Sequence, residues 1–207
     1  MGQFAHACAH APAQRLTLTV TIIAMTTTTA ELIVYACPTG PLAEQLAAYF
    51  ERSLREVGPN AAHGYMPHVT LTGFFHDDVD SVSTYRAALT TALTEMPAQT
   101  PDVLHSVGMQ LMADFLYLKF ESPWLIALAA RFAQHARSST RRDALRLKDW
   151  LHLSLAYDFR PEQRERLAAL ARESVDPLTP AGWDILLYER DGARWITHGR
   201  WPIAGQR

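Results

Sequence analysis

Pro67-His68-Val69-Thr70-Leu71 and Leu151-His152-Leu153-Ser154-Leu155 are the two stretches on which the reading of this chain turns. Each runs histidine, apolar residue, hydroxyl, leucine. Side chains alternate across an extended strand, so His68 and Thr70 leave one face while Val69 and Leu71 leave the other, and His152 and Ser154 repeat the arrangement. With nine His and 27 Ser and Thr in 207 residues, composition alone yields about 1.2 His-x-Ser/Thr matches. Requiring an apolar residue between them and Leu afterwards lowers the expectation to about 0.07, and two are present. A single histidine of this kind reads as a half-buried strand residue bonded to a neighbour. Two His-hydroxyl pairs on equivalent strands read as a site.

Outward from these strands the two halves of the chain run in parallel. Leu32–Cys37 is a β-favouring strand, Pro38 and Gly40 are turn residues, and Pro41 opens a helix whose Leu42, Leu46, Tyr49, Phe50, Leu54 and Val57 recur at helical spacing up to Gly58. The first histidine strand spans Tyr65–Phe75. A helix with Val82, Tyr85, Leu89, Leu93 and Met96 on one stripe runs to Pro97, and a strand covers Val103–Met109. In the second half, Phe115–Phe120 is a strand, Ser122-Pro123 starts a helix reaching Ala136, Leu151–Phe159 is the second histidine strand, and Pro161 opens a helix to Arg172. Trp183–Tyr188 and Arg194–Trp201 form a hairpin around Asp191-Gly192. Pro41 and Pro123 lie 82 residues apart and His68 and His152 lie 84 apart, the signature of a duplicated unit. The expected fold is α+β: two pseudo-symmetric lobes, each an antiparallel sheet with helices outside, and a cleft between them.

Composition narrows the function classes. At 23.2 kDa, 48% hydrophobic and 19% charged, the chain has material for a core, and a net charge of −2 gives no global field to draw it onto nucleic acid or anionic membrane. Two cysteines, Cys8 and Cys37, are too few for a disulfide scaffold or a thiolate zinc site and fit a reducing, cytoplasmic setting. Residues 1–30, rich in Ala and His, read as a flexible extension before a bilobal domain over 31–207, with the working protein starting near Met25. A secretory signal is the weaker reading, because Arg15 is the only basic residue ahead of the apolar stretch Leu16–Met25. His6, Cys8 and His10 on that extension read as incidental rather than as a metal site.

The chain resembles the 2H phosphoesterase superfamily, whose signature is two His-x-Thr/Ser-x motifs in a two-lobed pseudo-symmetric fold. The likeness covers residues 31 to 201. Tyr65-Met66-Pro67-His68-Val69-Thr70-Leu71-Thr72-Gly73-Phe74-Phe75, His152-Leu153-Ser154-Leu155-Ala156-Tyr157 and the strand from Trp183 to Arg190 are similar to its LigT-like, 2′,3′-cyclic nucleotide phosphodiesterase-like branch. Leu151 stands where the first motif has Pro67. The resemblance implies that His68 and His152 are catalytic and that Thr70 and Ser154 hold the phosphate. It implies metal-independent opening of 2′,3′-cyclic phosphates on nucleotides, ADP-ribose cyclic phosphate or RNA ends, with no cofactor and no membrane. The partner is then a small nucleotide or RNA-end substrate, and the protein a monomer without an obligate protein partner.

Three further residues are placed at the site from strand parity. Lys148 and Trp150 share the parity of His152 and line the cleft if the strand begins early. Tyr157 has the opposite parity and reaches a base only if the strand end twists. Six basic residues against Asp143 between Arg131 and Lys148 read equally as a solvated loop and as a phosphate grip. His63, His76, His105, His135 and His198 show no metal-ligand spacing and read as ordinary. The competing readings are a non-catalytic nucleotide- or RNA-binding module on the same fold, a 2′,5′ RNA ligase-type activity, and a histidine metalloenzyme.

Overall fold

The structure is a computed structural model in which residues 28–97 and 104–203 are described. The extension with His6, Cys8 and His10 lies outside them, as does Val103. Strand β1 (Thr29–Thr39) begins before Glu31, so Thr29 and the fully buried Ala30 belong to the sheet rather than to an extension ending at residue 30. It also runs through Pro38, which pairs with Trp183 instead of turning the chain. Helix α1 (Pro41–Glu56) follows, with Pro41 in its first turn and Leu42, Leu46 and Tyr49 buried on one stripe.

The long first histidine strand expected from Tyr65 to Phe75 is broken into two short ones, β2 (Val69–Thr70) and β3 (Phe75–Asp78). Ala61–Gly64 is a 3-10 turn, and Pro67 has no N–H to give a ladder. Both strands pair with β1, at Tyr35↔Thr70 and at Leu32↔Phe75, and Leu71–Phe74 bends out between them. Helix α2 (Val82–Thr94), strands β4 (His105–Leu111) and β5 (Phe115–Glu121), and helix α3 (Pro123–His135) come next. Ser122 caps α3, its hydroxyl accepting from the Leu125 N–H at 3.0 Å. Strand β6 (Leu151–Tyr157), helix α4 (Arg164–Ser174) and the hairpin of β7 (Gly182–Asp191) and β8 (Arg194–Ile203) complete the described chain, with Gly192 at φ 63° in the turn.

The fold is α+β, and every strand pairing among the described residues is antiparallel. The sheet order is β4-β5-β6-β2-β1-β7-β8, with β3 beside β2 on β1. The two lobes are therefore continuous, joined where Val69 of β2 faces Leu153 of β6. About that seam β6 corresponds to β2 and β5 to β1. The next strand out is exchanged: β4 from the first half edges β5, and β7 from the second half edges β1.

All four helices bury their apolar stripes against one face of the sheet, on Ala30, Leu32, Val34, Ala36, Val69, Leu71, Leu153 and Leu155. Helix α1 packs beside α4, and α2 beside α3. The opposite face carries Ile33, Tyr35, Cys37 and Leu186 beneath Met66, Phe74, Tyr188 and Trp195. The histidine strands open onto this second face, as the alternation of buried and half-exposed residues along Leu151–Leu155 requires.

Candidate functional site

The seam sets the site. Antiparallel pairing of Val69 with Leu153, carried one residue each way, stands His68 opposite Ser154 and Thr70 opposite His152. Each imidazole thus faces the hydroxyl of the other motif. Directly opposed side chains in such a pair have Cβ atoms about 5 Å apart and diagonal ones about 7–8 Å, so the two imidazoles span a gap that suits one phosphate group. All four residues line one cleft of about 510 Å³, together with Tyr35, Tyr65, Phe74, Phe115, Asp114, Arg146, Lys148, Tyr157 and Asp158.

The two histidines are mounted alike. His68 Nδ1 donates to the carbonyl of Met66, two residues before it, at 2.7 Å. That bond fixes the tautomer and leaves Nε2 as the free ring nitrogen. Tyr35, itself buried, stacks on the ring at 3.7 Å. His152 has the carbonyl of Trp150 in the same relative position, near enough to favour the charged ring, although Nδ1 is buried without a hydrogen bond of good geometry. Trp150 covers that ring at 4.1 Å.

Burial pushes the His68 imidazole down to about 4; the Met66 carbonyl opposes the shift and His152 adds to it. Burial and then the Lys148 ammonium hold His152 down to about 4, against the Trp150 carbonyl. Both rings are therefore neutral at pH 7 and able to accept a proton, His68 at Nε2. An anion between them offsets the cost of charging one.

Lys148 lines the cleft, with its backbone N–H donating to Leu71 O at 3.1 Å. Trp150, 42% exposed, is outside the cleft lining and packs on the rings of His152 and Tyr117. Tyr157 does line the cleft, against its strand parity. The reason is a bulge: Leu116 faces Ala156 but Tyr117 faces Ser154, so Leu155 is an extra residue. Leu155 and Ala156 are both buried, and the side of every later residue is reversed. Burial raises the Tyr157 phenol to about 12, so it stays a neutral donor.

Several lining residues lie outside the alternation of the two histidine strands. Arg146 comes from the loop 136–150, which lies along β2 and β3: Gly73 N–H donates to Arg146 O at 2.7 Å, Thr72 bridges Leu147, and Arg142 N–H donates to His76 O. The loop's basic composition was the only sequence signal for it. Tyr35 and Tyr65 arrive from β1 and from the turn before His68, and Asp114 and Asp158 from the same end of the β5–β6 pair, where Phe115 faces Tyr157. Asp158 has a positive φ of 56°, rare for a residue with a side chain, and its N–H donates to Asp114 O at 3.2 Å.

Four of the other described histidines have partners elsewhere. His63 caps the 3-10 turn and meets Ser53, His135 pairs with Glu95 and His198 with Glu189. His105 is exposed on β4. His76 Nδ1 lies 2.6 Å from Asp143 and so clamps the loop that carries Arg146. Among the described residues no three His, Cys, Asp or Glu side chains gather as a metal-binding group, and no helix is long and apolar enough to cross a membrane.

No family model matches the chain. It is 34% identical over 170 residues to ubiquitin-associated and SH3 domain-containing protein A of Mus musculus, covering 78% of this chain and 26% of that protein. The ecdysteroid-phosphate phosphatase of Bombyx mori is 29% identical over 171 residues, covering 81% of this chain and 25% of that protein. The chain thus spans about a quarter of the length of these relatives. Among solved structures, E. coli LigT complexed with ATP aligns with 86% of this chain and 100% of its own at 18% identity, with a TM-score of 0.47.

Proposed function

The chain belongs to the 2H phosphoesterase superfamily, and on that premise we propose that it hydrolyses 2′,3′-cyclic phosphodiesters on nucleotides, ADP-ribose cyclic phosphate or RNA ends. The observation that carries the reading is the seam pairing of Val69 with Leu153, which sets two imidazoles and two hydroxyls on one face of adjacent strands. A neutral imidazole takes a proton from water as the water oxygen bonds to phosphorus. The ester bond from phosphorus to one ribose oxygen breaks, and the other ring, charged, gives that oxygen its proton. The products are a phosphate monoester and a free hydroxyl, and the rings have exchanged protonation states. Thr70 and Ser154 donate to the non-bridging oxygens, Lys148 adds positive charge beside His152, and Tyr157 donates from the opposite wall. The activities named for the relatives belong to proteins about four times as long.

The test is incubation with a panel of 2′,3′-cyclic substrates in EDTA, followed by phosphorus NMR. The expected result is conversion of the cyclic resonance to a monoester by the wild type and not by His68→Ala or His152→Ala. Saturable binding of every substrate without turnover would replace the enzyme with a nucleotide-binding module, and turnover abolished by EDTA would replace paired histidines with a metal mechanism.

A further inference from the structure

The cleft is polarised along its length. Arg146 and Lys148 line one end beside Gly73 and Phe74, while Asp114 and Asp158 line the other beside Phe115 and Tyr157. Nearby arginines are taken: Arg190 makes two 2.7 Å bonds to Glu31, and Arg142 meets Asp78. Asp143, the carboxylate that feels the charge of Arg146, is held by the ring and backbone N–H of His76. Among the described residues neither Arg146 nor Lys148 has an ion-pair partner within 4 Å.

Arg146 is also built in. Its backbone is tied to Gly73, and its guanidinium donates weakly to Phe74 O at 3.4 Å. Gly73 provides the wall it lies on: a Cβ there would stand 3.1 Å from the guanidinium nitrogens. Three consecutive residues of β3 hold the loop, His76 through Asp143, Asp77 through Thr140 and Asp78 through Arg142. Most of the five N–H donors of this guanidinium remain free for a ligand.

The two ends correspond to the two exits from a ribose. With the cyclic phosphate between His68 and His152, the base leaves from C1′ and O5′ leaves from C4′. A phosphate on O5′ is repelled by Asp114 and Asp158 and drawn to the cationic end. The base is served by the rings of Phe115 and Tyr157 and by carboxylates that accept from an amino group. Resting on the cyclic-phosphodiesterase reading above, we infer that Arg146 binds a second phosphate, on O5′, while Lys148 serves the reacting one. The cleft therefore selects 5′-phosphorylated cyclic nucleotides and RNA 3′ ends over nucleoside 2′,3′-cyclic monophosphates.

The experiment compares kcat/KM for adenosine 2′,3′-cyclic phosphate, its 5′-phosphorylated form and the dinucleotide ending in a 2′,3′-cyclic phosphate, at low and high salt, in wild type and Arg146→Gln. Charge-assisted hydrogen bonds predict a preference of about ten- to hundredfold for the two phosphorylated substrates. That preference should shrink with salt and fall to within about threefold of unity in Arg146→Gln. The dinucleotide arm tells a bridging diester from a terminal phosphate. Equal rates in the wild type, or a preference undiminished in Arg146→Gln, would overturn the inference. Absence of turnover on all three substrates would instead remove the cyclic-phosphodiesterase reading and this inference with it.

Discussion

Each cleft histidine stands under an aromatic ring and beside the carbonyl two residues before it, and this mounting decides what its removal does. His68→Ala and His152→Ala should each lower kcat by about 10²- to 10⁴-fold, the range for losing a general acid or base. Thr70→Val and Ser154→Ala should cost about tenfold, since each deletes one hydrogen bond to phosphate and leaves proton transfer in place; steady-state kinetics checks both. The same mounting affects stability. Both imidazoles sit near 4 in the folded chain against about 6.5 when unfolded, so the unfolded chain binds the extra protons. These two rings cost no stability above pH 6.5, and their contribution to it declines as pH falls from about 6.5 towards about 4. Chemical denaturation of His68→Asn and His152→Asn between pH 7 and 4 should show a shallower decline than the wild type. Parallel slopes would mean that the rings are not held neutral.

At the scale of the element, the loop 136–150 and the bulge at Leu155 bring to the cleft what alternation alone does not. Asp77 anchors the loop: it is fully buried and accepts from Tyr85 Oη at 2.5 Å, Thr140 Oγ1 at 2.6 Å and the Asp78 N–H at 2.7 Å. Burial alone would raise its carboxyl, but the hydrogen bonds from Thr140, Tyr85, Ser138 and Asp78 outweigh it and hold it below the ordinary range. Asp77→Ala leaves those donors unmatched and should cost about 1–3 kcal/mol in thermal unfolding. It should also speed amide exchange over residues 138–148, which a stability loss confined to the helical core would not do. His68, Thr70, His152 and Ser154 were legible in the sequence because a period-two pattern needs only local residues. Tyr157 was placed at the site only on condition of a twist at the strand end, because a bulge depends on the partner strand: the extra residue is seen only once Tyr117 faces Ser154. Arg146 was visible only as one of six basic residues, since its position depends on Gly73 and β3, more than 60 residues earlier. The expected strand Tyr65–Phe75 failed for a related reason, because β1 pairs only with Val69–Thr70 and again from Phe75, and the loop 136–150 meets Thr72 and Gly73 between them.

For the whole molecule, the 84-residue offset between the histidines foretold the seam but not the exchange of β4 and β7 between lobes, for which no local residue carries a signal. That exchange ties each lobe to the other half of the chain, and the pairing of β2 with β6 sets both histidine strands in one sheet, so the two rings titrate in a single cleft. The charges facing them come from every side. Lys148 on the loop disfavours the imidazolium of His152; Arg146 on the loop, Lys119 opposite His152 on β5, and Asp114 and Asp158 at the far end are the other charged groups around the rings, and burial keeps the phenols of Tyr35 and Tyr157 neutral. The reaction needs one ring charged and one neutral, so kcat/KM, which reports the free enzyme, should follow a bell. With burial holding both rings near 4, its optimum should lie on the acidic side of neutrality, and it should fall about tenfold per unit beyond the upper limb. A bound phosphate anion favours the imidazolium, so the upper limb of kcat should lie at higher pH than that of kcat/KM. A metal-bound hydroxide would instead give a rise to an alkaline plateau that collapses in EDTA. The measurement is a pair of pH profiles in EDTA, at saturating and at low substrate, for wild type and both histidine-to-alanine variants. An alkaline plateau, coincident upper limbs for the two parameters, or both limbs surviving removal of either histidine would defeat paired acid and base catalysis in this cleft.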